Sequence, residues 1–231
     1  MEEVLAQEYT ILAIDLPFHG KTEWNEELFL DPDTLIALIK SMVAGKRGSE
    51  CKWTLMGYSM GGRVALGLLE KMPEKIAKMV LLAPDGLSVN SWYWWATQTK
   101  GGNAIFRWTM RKPGWLFFLL RLGNALQVIN RSVYKFTTYY TEDPVLRQEL
   151  YARWTTMRGF KPSLAAIRAL IGQRQIPVRL LYGRHDRIIP SRRGEKLRKG
   201  MEAYCRITVV AMGHQLLQAK NEGVIVALLK E

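Results

Sequence analysis

The chain of 231 residues contains few of the residues that cross-link small proteins or bind metals. Its two cysteines, Cys51 and Cys205, cannot form a disulfide framework, and neither stands at metal-ligand spacing, so we expect two buried free thiols and no metal site. The first residues are acidic rather than basic and apolar, so no secretory signal is predicted and a cytoplasmic location is favoured. The longest apolar run, 115–120, is far shorter than the roughly 20 residues of a membrane-spanning helix, so no transmembrane segment is expected.

Blocks of basic residues and nucleic-acid motifs are also lacking, although the net charge is +12. Residues 85–175 contain 16 of the 24 aromatic residues, and 13 Lys and Arg residues against 4 Asp and Glu residues. The rest of the chain is therefore nearly balanced in charge. A nucleic acid or an anionic membrane as partner would depend on charge alone. We predict no nucleic-acid partner, but a segment with an aromatic inner face and a basic outer face.

Apolar runs alternate with helical patterns along the chain. Strands are predicted at 9–15, 52–58, 78–83, 177–183 and 205–211, and helices at 31–45, 60–71, 190–199 and 215–230. This alternation is typical of an α/β protein with a mainly parallel sheet and helices on both faces. Residues 85–175 interrupt it, with helix breaks expected at 101–102, 113–114, 143–144 and 162. We therefore predict a core of residues 1–84 and 176–231 and a helical cap at 85–175.

A nucleophile elbow is predicted at residues 56–62, MGYSMGG, which contain the pattern G-x-S-x-G between a strand and a helix. Ser59 is the predicted nucleophile, and the two flanking glycines are expected to leave no room for a Cβ atom. The backbone N–H of Met60, the residue after the nucleophile, is the predicted oxyanion donor.

A serine nucleophile needs a base, and the chain offers three histidines. His214 follows the last predicted strand, at the end of the sheet where such folds bind ligands, and is the predicted base. The alternative role for His214 is a local hydrogen bond at a helix start. His185 is adjacent to Asp186 and would point to another side, and His19 is expected to structure a loop or line a cleft.

The acid that orients the base is predicted to be Asp186, which follows the fourth predicted strand. Along the chain the three residues occur in the order expected of a fold with a nucleophile elbow: Ser59, Asp186, His214. Asp85 follows the third strand at the same end of the sheet and remains a rival, with a turn role beside Gly86 as its alternative.

Four segments in order resemble signatures of the α/β-hydrolase superfamily: 15–21 (DLPFHGK), 57–62 (GYSMGG), 183–190 (GRHDRIIP) and 213–214 (GH). The resemblance implies a parallel eight-stranded core, a helical cap, a Ser59, His214 and Asp186 triad and no cofactor. The sequence of residues 57–66 is also similar to the corresponding segment of the 2-succinyl-6-hydroxy-2,4-cyclohexadiene-1-carboxylate synthases.

The sequence departs from the superfamily pattern at its beginning. Ahead of the segment at 15–21 the superfamily has a further strand and a His-Gly loop that supplies a second oxyanion donor. Only fourteen residues precede Asp15, so an N-terminally truncated core without that loop is expected. Loss of one donor typically costs about 10²–10³ in kcat.

Two functions remain open at this point. One is a serine hydrolase acting on a small ester, amide or activated C–C bond, with Trp92, Trp94, Trp95, Trp108 and Trp115 lining an apolar pocket. The expected partner is then a small molecule with an apolar part. The other is a catalytically incomplete protein of the same fold that binds or scaffolds. The alternative role of the tryptophans is packing between cap helices.

Overall fold

The computed structural model describes residues 2–45, 50–88, 91–129 and 131–231. They form two compact units. Unit one comprises Met1–Ala13, Asp31–Ser88 and Phe160–Glu231, and unit two comprises Ile14–Leu30 and Val89–Gly159. No helix in these described ranges is long and apolar enough to cross a membrane.

Unit one is built on a parallel sheet of four strands in the order β1-β2-β3-β4. The strands are β1 (Trp53–Tyr58), β2 (Ile76–Leu82), β3 (Val178–Gly183) and β4 (Cys205–Val210). Every residue of β3 is buried, as expected of a central strand covered on both faces. The predicted α/β class with a parallel sheet is confirmed, although the described residues supply four strands rather than eight.

Helices surround this sheet. Those of unit one are α1 (Glu2–Leu5), α2 (Pro32–Val43), α3 (Met60–Lys71), α9 (Leu164–Arg174), α10 (Arg192–Arg198) and α11 (Glu222–Lys230). Asp31 caps α2 by accepting the N–H of Asp33 at 3.0 Å, and Pro32 occupies the first turn, where a missing N–H costs nothing. The elbow helix α3 is buried from Gly62 to Leu69 and packs against β1 and β2.

Unit two is helical. Its helices are α4 (Ser91–Gln98), α5 (Lys100–Arg111), α6 (Gly114–Ala125), α7 (Arg131–Glu142) and α8 (Pro144–Thr156). Ala96, Phe106, Met110 and Tyr151 form the buried centre of one cluster in this unit, and Trp95 packs against it. The predicted breaks at 113–114 and 143–144 coincide with the starts of α6 and α8, and the one at 162 falls between α8 and α9. Helix α9, which lies inside the range predicted as a cap, belongs to unit one.

The predicted strand at 9–15 is wrong, because these residues form no ladder. A strand exists only through hydrogen bonds to a neighbour, and β1 is paired on one side alone within the described residues. Ile11 and Leu12, expected inside, are 43% and 41% exposed. An apolar run therefore predicted a strand for which the described chain provides no partner.

Two helix predictions also need correction. The helix predicted at 215–230 begins only at Glu222, because the carbonyls of His214 and Leu216 accept side-chain donors, Tyr58 Oη and Asn221 Nδ2, instead of helical N–H groups. The break predicted at 101–102 lies at Thr99 instead, because Thr99 caps α5 and both glycines lie in its first turn. A Cβ atom on Gly102 would lie 2.1 Å from the Trp95 carbonyl oxygen, so this glycine permits a close approach rather than a break.

The two cysteines differ in environment. Cys205 is buried at the start of β4, and burial raises the pKa of its thiol to about 11. Cys51 is exposed, which corrects the expectation that both thiols are buried. Both are free, as predicted from their number and spacing.

Candidate active site

Ser59 lies in a sharp turn between β1 and α3, with φ 51° and ψ −113°. A serine with positive φ is strained, and such strain is typical of a nucleophile held out of regular structure. A Cβ atom on Gly57 would lie 2.5 Å from the carbonyl oxygen of Gly61, so only glycine fits at position 57. Gly61 itself has open space, whereas a Cβ on Gly62 would lie 2.6 Å from the Pro84 side chain. The second obligatory glycine is therefore Gly62, not the flanking Gly61 as predicted.

Backbone hydrogen bonds fix the elbow to the neighbouring strand. The Ser59 N–H donates to the Leu82 carbonyl at 2.9 Å, which extends the pairing of β1 and β2 by one residue. The Ser59 carbonyl accepts N–H groups from Gly62 at 3.0 Å and Asp85 at 2.9 Å. The orientation of Ser59 is thus set by main-chain contacts with the loop after β2.

The structure brings Ser59, His214 and Asp186 together into one chain of hydrogen bonds. Nε2 of His214 lies 3.2 Å from Oγ of Ser59, and Nδ1 of His214 lies 2.8 Å from Oδ2 of Asp186. The three residues come from the elbow, the loop after β3 and the loop after β4, all at the carboxyl ends of parallel strands. A proton on Nδ1 facing the carboxylate leaves Nε2 free to accept the serine proton.

The Asp186 carboxylate is fully buried but not short of donors. Its Oδ1 atom accepts the N–H groups of Ile188 at 2.8 Å and Ile189 at 2.9 Å, while Oδ2 faces His214. A buried carboxylate with these donors is held in one orientation and keeps its partner imidazole in place. The backbone of His214 is held separately, since its carbonyl accepts the Tyr58 hydroxyl at 3.1 Å.

The rival acid Asp85 is engaged elsewhere. Its Oδ2 atom accepts from Nε of Arg63 at 3.1 Å and also from Nη2, and its Oδ1 atom accepts the N–H of Gly86 at 2.8 Å. Arg63 is 8% exposed in its side chain and Asp85 is 22% exposed, so the pair is largely removed from water. Asp85 thus binds the helix of the elbow to the loop after β2.

Sequence reasoning missed Arg63 and Tyr58. The signal for Arg63 was present, because an arginine one turn after the nucleophile on an otherwise apolar helix must find a buried partner. The Tyr58 contact spans 156 positions of the chain and leaves no local signal.

The other two histidines lie apart from this hydrogen-bonded chain. His185 is exposed, and its backbone N–H donates to the Met212 carbonyl at 2.8 Å. His19 belongs to unit two, where Nδ1 lies 3.0 Å from the Pro17 carbonyl oxygen. Burial lowers the pKa of His19, and the Pro17 carbonyl opposes that shift.

Met60 is the first residue of α3, and its N–H has no acceptor in the part of the chain that the structure describes. Such an N–H at a helix N-terminus carries part of the positive end of the helix dipole. Met60 directly follows Ser59, the position that the prediction of an oxyanion donor requires.

The five tryptophans predicted to line a pocket have different environments. Trp92, Trp94 and Trp108 are 50–52% exposed, whereas Trp95 packs on the buried cluster of unit two. Of the five, Trp108 alone lines a cleft of about 670 Å³ in unit two, and the other lining residues are mostly of polar type. Searched over the described ranges, the chain has no group of three or more His, Cys, Asp or Glu residues that could hold a metal ion.

Comparison with known proteins identifies the family of the chain. The chain is 26% identical over 203 residues to the pimeloyl-[acyl-carrier protein] methyl ester esterase of Nitrosomonas europaea, covering 82% of this chain and 71% of that protein. It is 28% identical over 225 residues to the dihydrolipoyllysine-residue acetyltransferase component of the acetoin cleaving system of Pseudomonas putida, covering 95% of this chain. The chain spans about half the length of that second relative, 55%.

Solved structures show the same fold. An esterase from Thermogutta terrifontis matches with a TM-score of 0.62 at 19% identity, covering 99% of this chain and 81% of that one. A meta-cleavage product hydrolase from Pseudomonas fluorescens matches with a TM-score of 0.59 at 16% identity and the same coverage. The profile of the serine aminopeptidase S33 family matches residues 1–221. The chain therefore belongs to the serine aminopeptidase S33 family of α/β-hydrolases and is a serine hydrolase.

Proposed function

We propose that this hydrolase cleaves a small carboxylic ester through Ser59, His214 and Asp186. The observation that carries the proposal is the hydrogen-bonded chain from Asp186 through His214 to a serine with positive φ. A chain of that kind activates a hydroxyl that is otherwise a weak nucleophile at neutral pH. Amide and activated C–C bonds are open to the same nucleophile.

The arrangement supports acyl transfer in two steps. Ser59 Oγ attacks the ester carbonyl while His214 Nε2 takes the serine proton, and Asp186 stabilises the resulting imidazolium. The tetrahedral intermediate collapses when His214 returns the proton to the leaving alkoxide, which leaves an acyl-Ser59 and a free alcohol. A water molecule, deprotonated by His214, then attacks the acyl group, and the carboxylic acid leaves as Ser59 regains its proton.

The oxyanion of both tetrahedral intermediates would be held by the N–H of Met60. This role is supported by the position of the Met60 N–H, which lies at the N-terminus of α3 directly after Ser59. This is the one donor that we assign, and one such donor typically contributes about 10²–10³ to kcat.

The substrate class is supported by the relatives. The Nitrosomonas europaea and Thermogutta terrifontis proteins are named as esterases. We therefore place a small ester with an apolar part first. A core of residues 1–84 and 176–231 and a cap of residues 85–175 are part of the same proposal, and the compact units differ from this division at residues 14–30 and 160–175.

Turnover of p-nitrophenyl esters of increasing acyl length tests this function. We expect Ser59→Ala to lower kcat by at least about 10⁴-fold, to the background that a site without its nucleophile retains. Ser41→Ala, at an exposed position of α2, is the matched control and should turn over as the parent does. Folded parent protein without turnover of any ester would favour the binding role, and equal turnover by Ser59→Ala would assign the activity to another residue.

A further inference from the structure

Helix α6 of unit two carries an apolar face that faces solvent. Its inner side is formed by Leu120, which is buried, and Leu116, which packs on the cluster around Phe106. A second face is exposed, and we call it the α6 stripe: Phe118 (66% exposed), Leu119 (49%), Leu122 (45%) and Leu126 (64%). The spacings of three and four residues put these side chains on one side of the helix, within about 100°. An exposed helix face normally carries polar residues, so the α6 stripe requires an explanation.

The apolar surface continues beyond the α6 stripe. Trp108, 52% exposed, stacks on Trp115 in the first turn of α6 with 6.2 Å between ring centroids. Val128, just after the helix, is 76% exposed. Aromatic and aliphatic side chains thus lie exposed on and beside one helix, a composition typical of surfaces that meet the membrane–water interface.

Charge in this part of the chain has one sign. Residues 86–141 contain seven Lys and Arg residues and no Asp or Glu. Arg111 and Lys112, at the end of α5, and Arg121 on α6 are exposed, and none of them forms an ion pair with the described residues. This segment of the chain therefore carries positive charge and an apolar stripe together, with no acidic residue of its own.

An apolar stripe beside basic residues favours one kind of partner. A second copy of the chain would bring two positive regions together, because a twofold contact pairs each surface with itself. A nucleic acid would satisfy the basic residues but leave the α6 stripe in water. With 12 residues, α6 is about 18 Å long and cannot cross a hydrocarbon core of roughly 30 Å.

We propose that α6 lies in the plane of an anionic lipid surface, with the α6 stripe among the acyl chains and Arg111, Lys112 and Arg121 at the phosphates. Apolar area and electrostatic attraction then act together, which is how interfacial helices bind. The residues of this surface belong to unit two, whereas Ser59, His214 and Asp186 belong to unit one, so this proposal is tested independently of the esterase activity. It assigns unit two a lipid-docking role.

Co-sedimentation of the full chain with vesicles tests the proposal. The parent should sediment with phosphatidylcholine vesicles that contain phosphatidylglycerol, and should remain in solution with phosphatidylcholine alone. Binding should be lost in 1 M NaCl, where the Debye length is about 3 Å. The double variant Phe118→Ser with Leu122→Ser should bind at least tenfold more weakly, since each buried apolar side chain contributes about tenfold or more.

The matched control is Leu38→Ser with Met42→Ser on α2, which has the same spacing and 44% and 42% exposure. This control should bind vesicles as the parent does, and both double variants should keep parental ester turnover. Equal vesicle binding by the α6 variant, or no binding by the parent, would overturn the proposal. So would a dimer of the parent, found without vesicles, that the α6 variant abolishes, because the stripe would then join two copies.

Discussion

At the scale of single residues, two carboxylates, one buried and one half-buried, differ in the partners that they face. Asp186 faces an imidazole and is otherwise held by backbone N–H groups, whereas Asp85 faces the guanidinium of Arg63. Both follow a parallel strand, so the sequence pattern alone left them as rivals. The difference arises from their partners, because Arg63 contacts Asp85 whereas Nδ1 of His214 faces Asp186.

Substitution by asparagine should lower kcat at Asp186 and lower stability at Asp85. Asp186→Asn puts an amide donor against Nδ1 of His214 and favours the wrong tautomer, so kcat should fall by about 10⁴-fold with little loss of stability. Asp85→Asn removes the negative charge that Asp85 places against the buried guanidinium of Arg63, and should lower the free energy of unfolding by up to about 3 kcal/mol, with kcat of the folded protein largely kept. Ester turnover and urea unfolding of both variants check this, and a larger kcat loss in Asp85→Asn than in Asp186→Asn would reverse the assignment.

At the scale of elements, the predictions that succeeded had local causes. The strand β1, the elbow and α3 were predicted together because an apolar strand, a glycine-flanked serine and an amphipathic helix are each encoded within a few residues. The strand predicted at 9–15 failed because strand formation depends on a neighbour that no local pattern reveals. Contacts such as Tyr58 with His214, and Gly62 with Pro84, likewise depend on the assembled fold.

The two glycines after Met60 offer a test of the elbow packing. Gly62→Ala places a Cβ against the Pro84 backbone and side chain, and should lower the free energy of unfolding by about 1–3 kcal/mol. Gly61→Ala meets open space and should be neutral or stabilising by up to about 1 kcal/mol, because alanine favours the helix. Urea denaturation of the pair measures the difference, and equal stabilities would show that α3 does not pack on the loop after β2 as described.

At the scale of the whole molecule, the chemistry and the charge are distributed differently along the chain. Ser59, Asp186 and His214 all belong to unit one, although 155 positions separate the first from the last. The excess of basic residues lies in residues 85–175. The order of motifs was sufficient to predict which residues meet, since each follows a strand of one parallel sheet. The charged partners around these three residues became visible only in the structure.

The measurement that tests the central claim most directly is the site of reaction with a fluorophosphonate, located by mass spectrometry of the digested protein. The oxygen of an activated serine attacks the phosphorus of the probe and displaces fluoride. We therefore predict a single phosphonylated residue, Ser59, in the parent protein. The adduct should be absent in Ser59→Ala and form far more slowly in His214→Ala. Folded parent protein that stays unmodified, or an adduct on a different serine, would contradict the account.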